Sequence, residues 1–137
     1  MHLSKRLAPL LAGSLLLAAL EDPNPVLVLE HKLLYKQTFE VPEEFPRAYL
    51  GEGTIARAGT DLTIVATSVE VQRSLEAAEQ LAASGISAEV IDPRTIKPLD
   101  VDLILGSVSR TGRVLLVQEA AKTGGFMAEV SASIAES

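Results

Sequence analysis

Chemically able side chains are densest at 119–126, EAAKTGGF, where Glu119, Lys122, Thr123 and the adjacent Gly124 and Gly125 follow the apolar run VLLVQ. At the carboxyl end of a parallel strand such a loop lies where open α/β sheets bind ligands, and the helix N-terminus after it would attract an anion. The same residues also read as a strand-to-helix turn, with the glycines supplying positive dihedrals and Thr123 a cap. Glu119 stands without a base or nucleophile beside it, which falls short of a catalytic constellation. GEGTIA at 51–56 has the letters of a dinucleotide fingerprint but neither a strand before it nor a helix after it. Glu76 and Glu79 have the i, i+3 spacing of a carboxylate metal pair, yet no histidine follows, so they read as a solvated helix face. His31, between Glu30 and Lys32, reads as an ion-paired structural histidine. The turn EDPNP offers the oxygens of Asp22 and Asn24, which suit a hard cation.

Composition removes whole classes of function. The 137 residues contain no cysteine and two histidines, His2 and His31, far apart in sequence, which excludes disulfides, thiolate nucleophiles and Cys-ligated zinc. With 18 acidic against 12 basic residues the formal charge is −6, so no nucleic-acid partner is expected. MHLSKRLAPLLAGSLLLAALEDP has the basic start and apolar middle of a signal peptide, but Leu20 and Glu21 stand where cleavage wants small residues, and the stretch is too short for a bilayer. A buried helix with Pro9 in its first turn fits better.

These residues need elements to position them. The apolar run VLVLE at 26–30 has the pattern of a strand covered on both faces. Residues 36–60 carry prolines and glycines without a sustained period and read as a connection with one short strand. A rhythm then follows: strand 62–67; helix 70–84 with Val71, Leu75, Ala78 and Leu81 or Ala82 inward and Gly85 as its stop; strand 86–92. A helix capped by Asp100, with Val101, Ile104, Leu105 and Val108 inward, ends at Arg110 and Gly112. Strand 113–119 leads to a helix striped by Phe126, Val130 and Ile134. Alternation of this kind predicts a parallel sheet with right-handed crossovers. Three strands are few for such a sheet, and burying each Leu, Ile or Val contributes roughly 1.5–3 kcal/mol, so the apolar stripes expect cover from further polypeptide.

In order and spacing, GSLLLAALEDPNPVLVLEHKLLY, VPEEFPRAYLGEG, AGTDLTIVATSVEVQRSLEAAEQLAASGISAEVIDPRTIKPLDVDLIL and SRTGRVLLVQEAAKTGGFMAEV resemble the beta subunit of the thiamine-diphosphate-dependent 2-oxo acid dehydrogenases, the pyruvate and branched-chain enzymes. The resemblance implies an α/β fold: an incomplete three-layer α/β/α transketolase C-terminal-like domain with a mostly parallel sheet at 61–137. It would be preceded by a linker at 36–60 and, at 1–35, by the last helix and strand of a pyrimidine-binding domain. It also implies a truncated chain that lacks catalytic and cofactor-binding residues and serves subunit assembly. The intact enzyme would use thiamine diphosphate and magnesium, with a dehydrogenase alpha subunit, a second beta subunit and an acyltransferase core as partners, in the cytoplasm and away from membranes. Ala19, Asp22 and Asn24 fall on positions that branched-chain members use for potassium. Departures from the family are Leu11 for a capping aspartate, Ser68 for a glycine and Gln118 for a histidine. Two other readings are a free-standing α/β module that binds a small anion above the strands and an unstable gene remnant.

Overall fold

The computed structural model describes residues 4–36 and 46–137, with side chains over 13–35 and 46–137. Helix α1 spans Ser4–Glu21. It starts before Pro9, so positions 9 and 11 lie inside it, a correction to the expectation of Pro9 in the first turn. The expectation of a buried helix is also corrected: Leu16, Leu17 and Leu20 are exposed, because no described neighbour covers them. After the turn at 22–25, residues 26–30 form no strand, against expectation, and Leu27 and Leu29 are 85% and 74% exposed. The β-branched composition favours a pleated, half-buried surface, but a strand exists only where a neighbour completes its ladder, and no described strand does so here. A short 3₁₀ turn follows at Lys32–Lys36.

Strand β1 (Thr54–Arg57) lies within the stretch read as a connection. It is followed by β2 (Leu62–Ala66), α2 (Val69–Ala83), β3 (Ala88–Asp92), α3 (Val101–Thr111), β4 (Val114–Val117) and α4 (Phe126–Ala135). The strand order is β1-β3-β2-β4, with β3, β2 and β4 parallel and β1 antiparallel on the edge. Register places Ile64 of β2 beside Val90 of β3 on one side and Leu115 of β4 on the other. Alternation then sorts the faces. Ile64, Ala66, Ala88 and Val90 meet Val71, Leu75 and Ala78 of α2, while Val65 and Ile91 meet Ile104 of α3 and Met127 and Val130 of α4. The chain steps one way from β2 to β3 and back past β2 to β4, so right-handed crossovers put α2 and α3 on opposite faces. The caps of α3 fall where the spacing expects them, Asp100 Oδ1 accepting from the Leu103 N–H (3.0 Å) and Gly112 closing the helix in the left-handed conformation, but its inward stripe is corrected: Leu103 packs with Ile104 and Val108 where Val101 and Leu105 were expected.

At the amino ends of the strands the face under α3 carries a buried polar network. Thr63 Oγ1 lies 2.7 Å from both Ser107 Oγ and Thr111 Oγ1. Ser107 donates to Glu89, whose Oε1 also accepts from Arg110 Nη2 at 2.7 Å. Burial of Glu89 is tolerated because each of these groups finds a partner.

Candidate functional site at the carboxyl ends of the strands

A parallel order of β3-β2-β4 makes the gap between the carboxyl ends of β2 and β4 the topological switch point, the usual ligand end of an open α/β sheet. Leaving β2, the chain reaches Ser68, the N-cap of α2, with φ 57° and ψ −129° and no side-chain capping bond. A non-glycine residue there is strained. Glu70, in the first turn of α2, pairs with Arg73 one turn on, and Arg73 Nη1 lies 3.9 Å from Glu119 Oε1 beyond β4. His31 arrives from the N-terminal segment, its Nε2–H donating to Glu119 Oε2 at 3.0 Å. The Leu33 backbone N–H donates to His31 Nδ1 at 3.2 Å.

Glu119, isolated in sequence, therefore gains His31, Arg73 and Glu70 as companions in space. The expectation of a structural histidine is met by Glu119 rather than by the flanking Glu30 or Lys32, and with Nδ1 accepting a backbone N–H the contact is a hydrogen bond to the carboxylate, not an ion pair. In this arrangement one ring nitrogen of His31 accepts a backbone hydrogen bond and the other donates to a carboxylate, so neither offers a lone pair to a substrate. No spacing rule points to the grouping, because its members lie 3 to 88 positions apart. The single local hint is a serine where the resembled family has glycine.

The loop EAAKTGGF resolves as a turn. Gly124 has φ +76°, and a Cβ on Gly125 would lie 2.2 Å from Gln118 Nε2 and 2.4 Å from the Ala121 carbonyl. Gly125, not Thr123, is the N-cap of α4 and provides no side chain, which corrects the capping expectation. Gln118 substitutes for it: its Oε1 accepts from the Met127 N–H (2.8 Å) and its Nε2 donates to the Ala121 carbonyl (3.1 Å).

At the end of β3 a second polar group forms. Burial pushes the Asp92 carboxyl up from the usual aspartate range, while the Arg94 backbone N–H (2.9 Å) and the Arg94 charge pull it back. Burial likewise lowers Arg94, offset by Asp92 and Glu52. Arg94 has φ 59°, and its Nε is buried without a hydrogen-bond partner. Gly51 N–H donates to Thr95 Oγ1 (3.0 Å) and Gly53 N–H to Asp100 Oδ2 (2.9 Å). The backbone donors of GEGTIA are thus spent on stitching the chain to this loop, and a strand follows them, in keeping with rejection of the dinucleotide motif. Glu76 and Glu79 are exposed on α2, and among the described residues no three His, Asp or Glu side chains converge as metal ligands.

In the EDPNP turn, Asp22 Oδ1 accepts from the Asn24 N–H (2.8 Å) and from Asn24 Nδ2 (3.0 Å). Ala19 lies in the last turn of α1, and Pro23, four residues on, has no N–H to offer its carbonyl.

Comparison with known proteins yields a consistent set. The family model described as "Transketolase, C-terminal domain" matches residues 51–137. The pyruvate dehydrogenase E1 component subunit beta of Bacillus subtilis (strain 168) is 48% identical over 124 residues, covering 90% of this chain and 38% of that protein. The acetoin:2,6-dichlorophenolindophenol oxidoreductase subunit beta of Cupriavidus necator is 44% identical over 122 residues, 89% of this chain and 36% of that protein. A solved structure described as "Split gene transketolase, inactive beta4 tetramer" superposes with a TM-score of 0.64 at 37% identity, over 71% of this chain and 32% of that one. The chain spans under two fifths of the length of these relatives.

Proposed function

This chain belongs to the transketolase C-terminal domain family, and we propose that it serves as part of the beta subunit of a thiamine-diphosphate-dependent 2-oxo acid dehydrogenase, building subunit contacts rather than performing chemistry. The observation that carries this reading is the 48% identity to a pyruvate dehydrogenase E1 beta subunit over 90% of the chain. In this reading residues 1–35 belong to the end of a pyrimidine-binding domain, 36–60 link it onward, and 61–137 form the C-terminal module. The intact heteromer, in the cytoplasm, would decarboxylate pyruvate or a branched-chain 2-oxo acid and pass the acyl group to the lipoyl arm of an acyltransferase core.

Thiamine diphosphate would supply the electron sink for that decarboxylation and magnesium its diphosphate anchor. The described residues do not fit either group: no metal-ligating triad converges among them, and in the glycine-rich stretch 51–53 Gly51 and Gly53 spend their N–H groups on Thr95 and Asp100 and Glu52 donates to the Tyr49 carbonyl. No chemical step is assigned to this chain, and in this reading the cofactors would be held by the rest of the heteromer. A potassium ion at the α1 end fits better, taking the Ala19 carbonyl with oxygens of Asp22 and Asn24, which are hard ligands on one tight turn.

Coexpression with the alpha subunit tests the assignment. Copurification of the two chains is the expected result, and a well-folded chain that ignores the alpha subunit overturns it. The competing reading, a free-standing small-anion module, is disfavoured by Glu70 and Glu119, which put carboxylates into the crevice such an anion would enter.

A further inference from the structure

The switch-point end of an open α/β sheet is ordinarily left to a ligand. Here it meets the chain's own N-terminal segment. His31 sits 3.0 Å from Glu119, just beyond β4, and Arg73 on α2 approaches the other oxygen of the same carboxylate at 3.9 Å, so one side chain of the segment engages the group that joins both walls of the crevice.

We propose that residues 22–36 form a strap, clasped by His31 onto Glu119, that occupies the switch-point crevice in place of a diffusible ligand. The polar clasp has to do the holding. Val26, Leu27, Val28 and Leu29 are exposed and offer the sheet little apolar burial, whereas His31 is about a quarter exposed and bonded at both ring nitrogens. The strap is also ordered around that ring: the Leu33 N–H donates to Nδ1, the Leu34 N–H donates to the His31 carbonyl (2.9 Å), and Tyr35 Oη donates to Glu30 (2.7 Å). Fixing Nδ1 as an acceptor leaves Nε2 as the hydrogen-bearing nitrogen, the tautomer that Glu119 requires. The inference stands independently of the dehydrogenase assignment, since it concerns contacts within this chain.

Hydrogen exchange on the full chain tests it. Glu119→Ala leaves His31 and the strap sequence intact, yet should lower protection of the Leu33 and Leu34 amides, 85 or more positions away, by roughly two- to five-fold, as loss of a partly exposed charge-assisted bond implies. Amides of α3 should stay unchanged. His31→Leu also removes the acceptor of the Leu33 N–H, so its readout is the Leu34 amide, bonded to the residue-31 carbonyl: that amide should lose as much protection as in Glu119→Ala, and in the double variant it should exchange no faster than in either single one. If Glu119→Ala also disturbs α3, His31→Leu carries the test. An unchanged Leu34 amide in His31→Leu, additive effects in the double variant, or protection of 118–125 by millimolar inorganic phosphate in the unaltered chain would each overturn the proposal, the last by showing the crevice open to an anion.

Discussion

Ser68 holds a conformation that glycine accepts and serine does not, and its hydroxyl makes no capping bond in return. Replacing it by glycine should raise stability by about 1 kcal/mol, the relief of strain less the entropy glycine loses on folding. The urea midpoint would then rise with an unchanged slope, and a fall would show that the backbone there is not strained. Asp92 has a raised pKa in the folded state, so the native chain binds its proton more tightly than the unfolded chain does. That contribution is fully present below the ordinary aspartate pKa and is lost as pH rises through the raised value. Asp92→Asn, which can still accept the Arg94 N–H, should remove this decline. A pH titration of the melting temperature checks it, the expected result being a smaller drop from pH 4 to pH 7 than in the unaltered chain.

Elements are held together by a few side chains that serve two of them at once. Asp100 caps α3 through Leu103 and also accepts the Gly53 N–H, so Asp100→Ala releases both the helix start and the strand-leading segment. A loss of about 2 kcal/mol is expected, above the ~1 kcal/mol of an ordinary cap, measured by chemical denaturation. Gly59 plays the opposite part by lacking a side chain. A Cβ there would lie 2.2 Å from the Ala88 carbonyl carbon and the Glu89 nitrogen, so Gly59→Ala should push β3 away from the segment leading into β2 and lower the melting temperature. Helix stripes at this scale were legible because their period depends on neighbours three and four positions away. Cap acceptors were legible only when local: Asp100 was, whereas Gln118, nine residues before the amide it serves, was not.

For the whole molecule the governing feature is uneven cover. The α2 and α3 faces over β2 and β3 are closed, whereas β4 has one free edge among the described strands and Leu115 is half exposed, as are several leucines of α1. An exposed strand edge with an apolar side chain invites association. Leu115→Lys should therefore reduce light scattering of the isolated chain at high concentration while leaving its melting temperature nearly unchanged. Order and type of the elements from 62 onward, and the facing of α2 and α4, could be read from the sequence alone, as could the family resemblance, because periodicity and motif order are written in neighbouring residues. Pairing could not be read. VLVLE has the composition of a strand and is none, for want of a ladder partner among the described residues, while His31, Arg73 and Glu119 show no sequence relation and meet because the crossovers of the sheet bring the ends of β2 and β4 to one crevice. Local chemistry decides what a segment can become, and only the tertiary arrangement supplies the hydrogen-bond partners and opposite charges that decide whether it does.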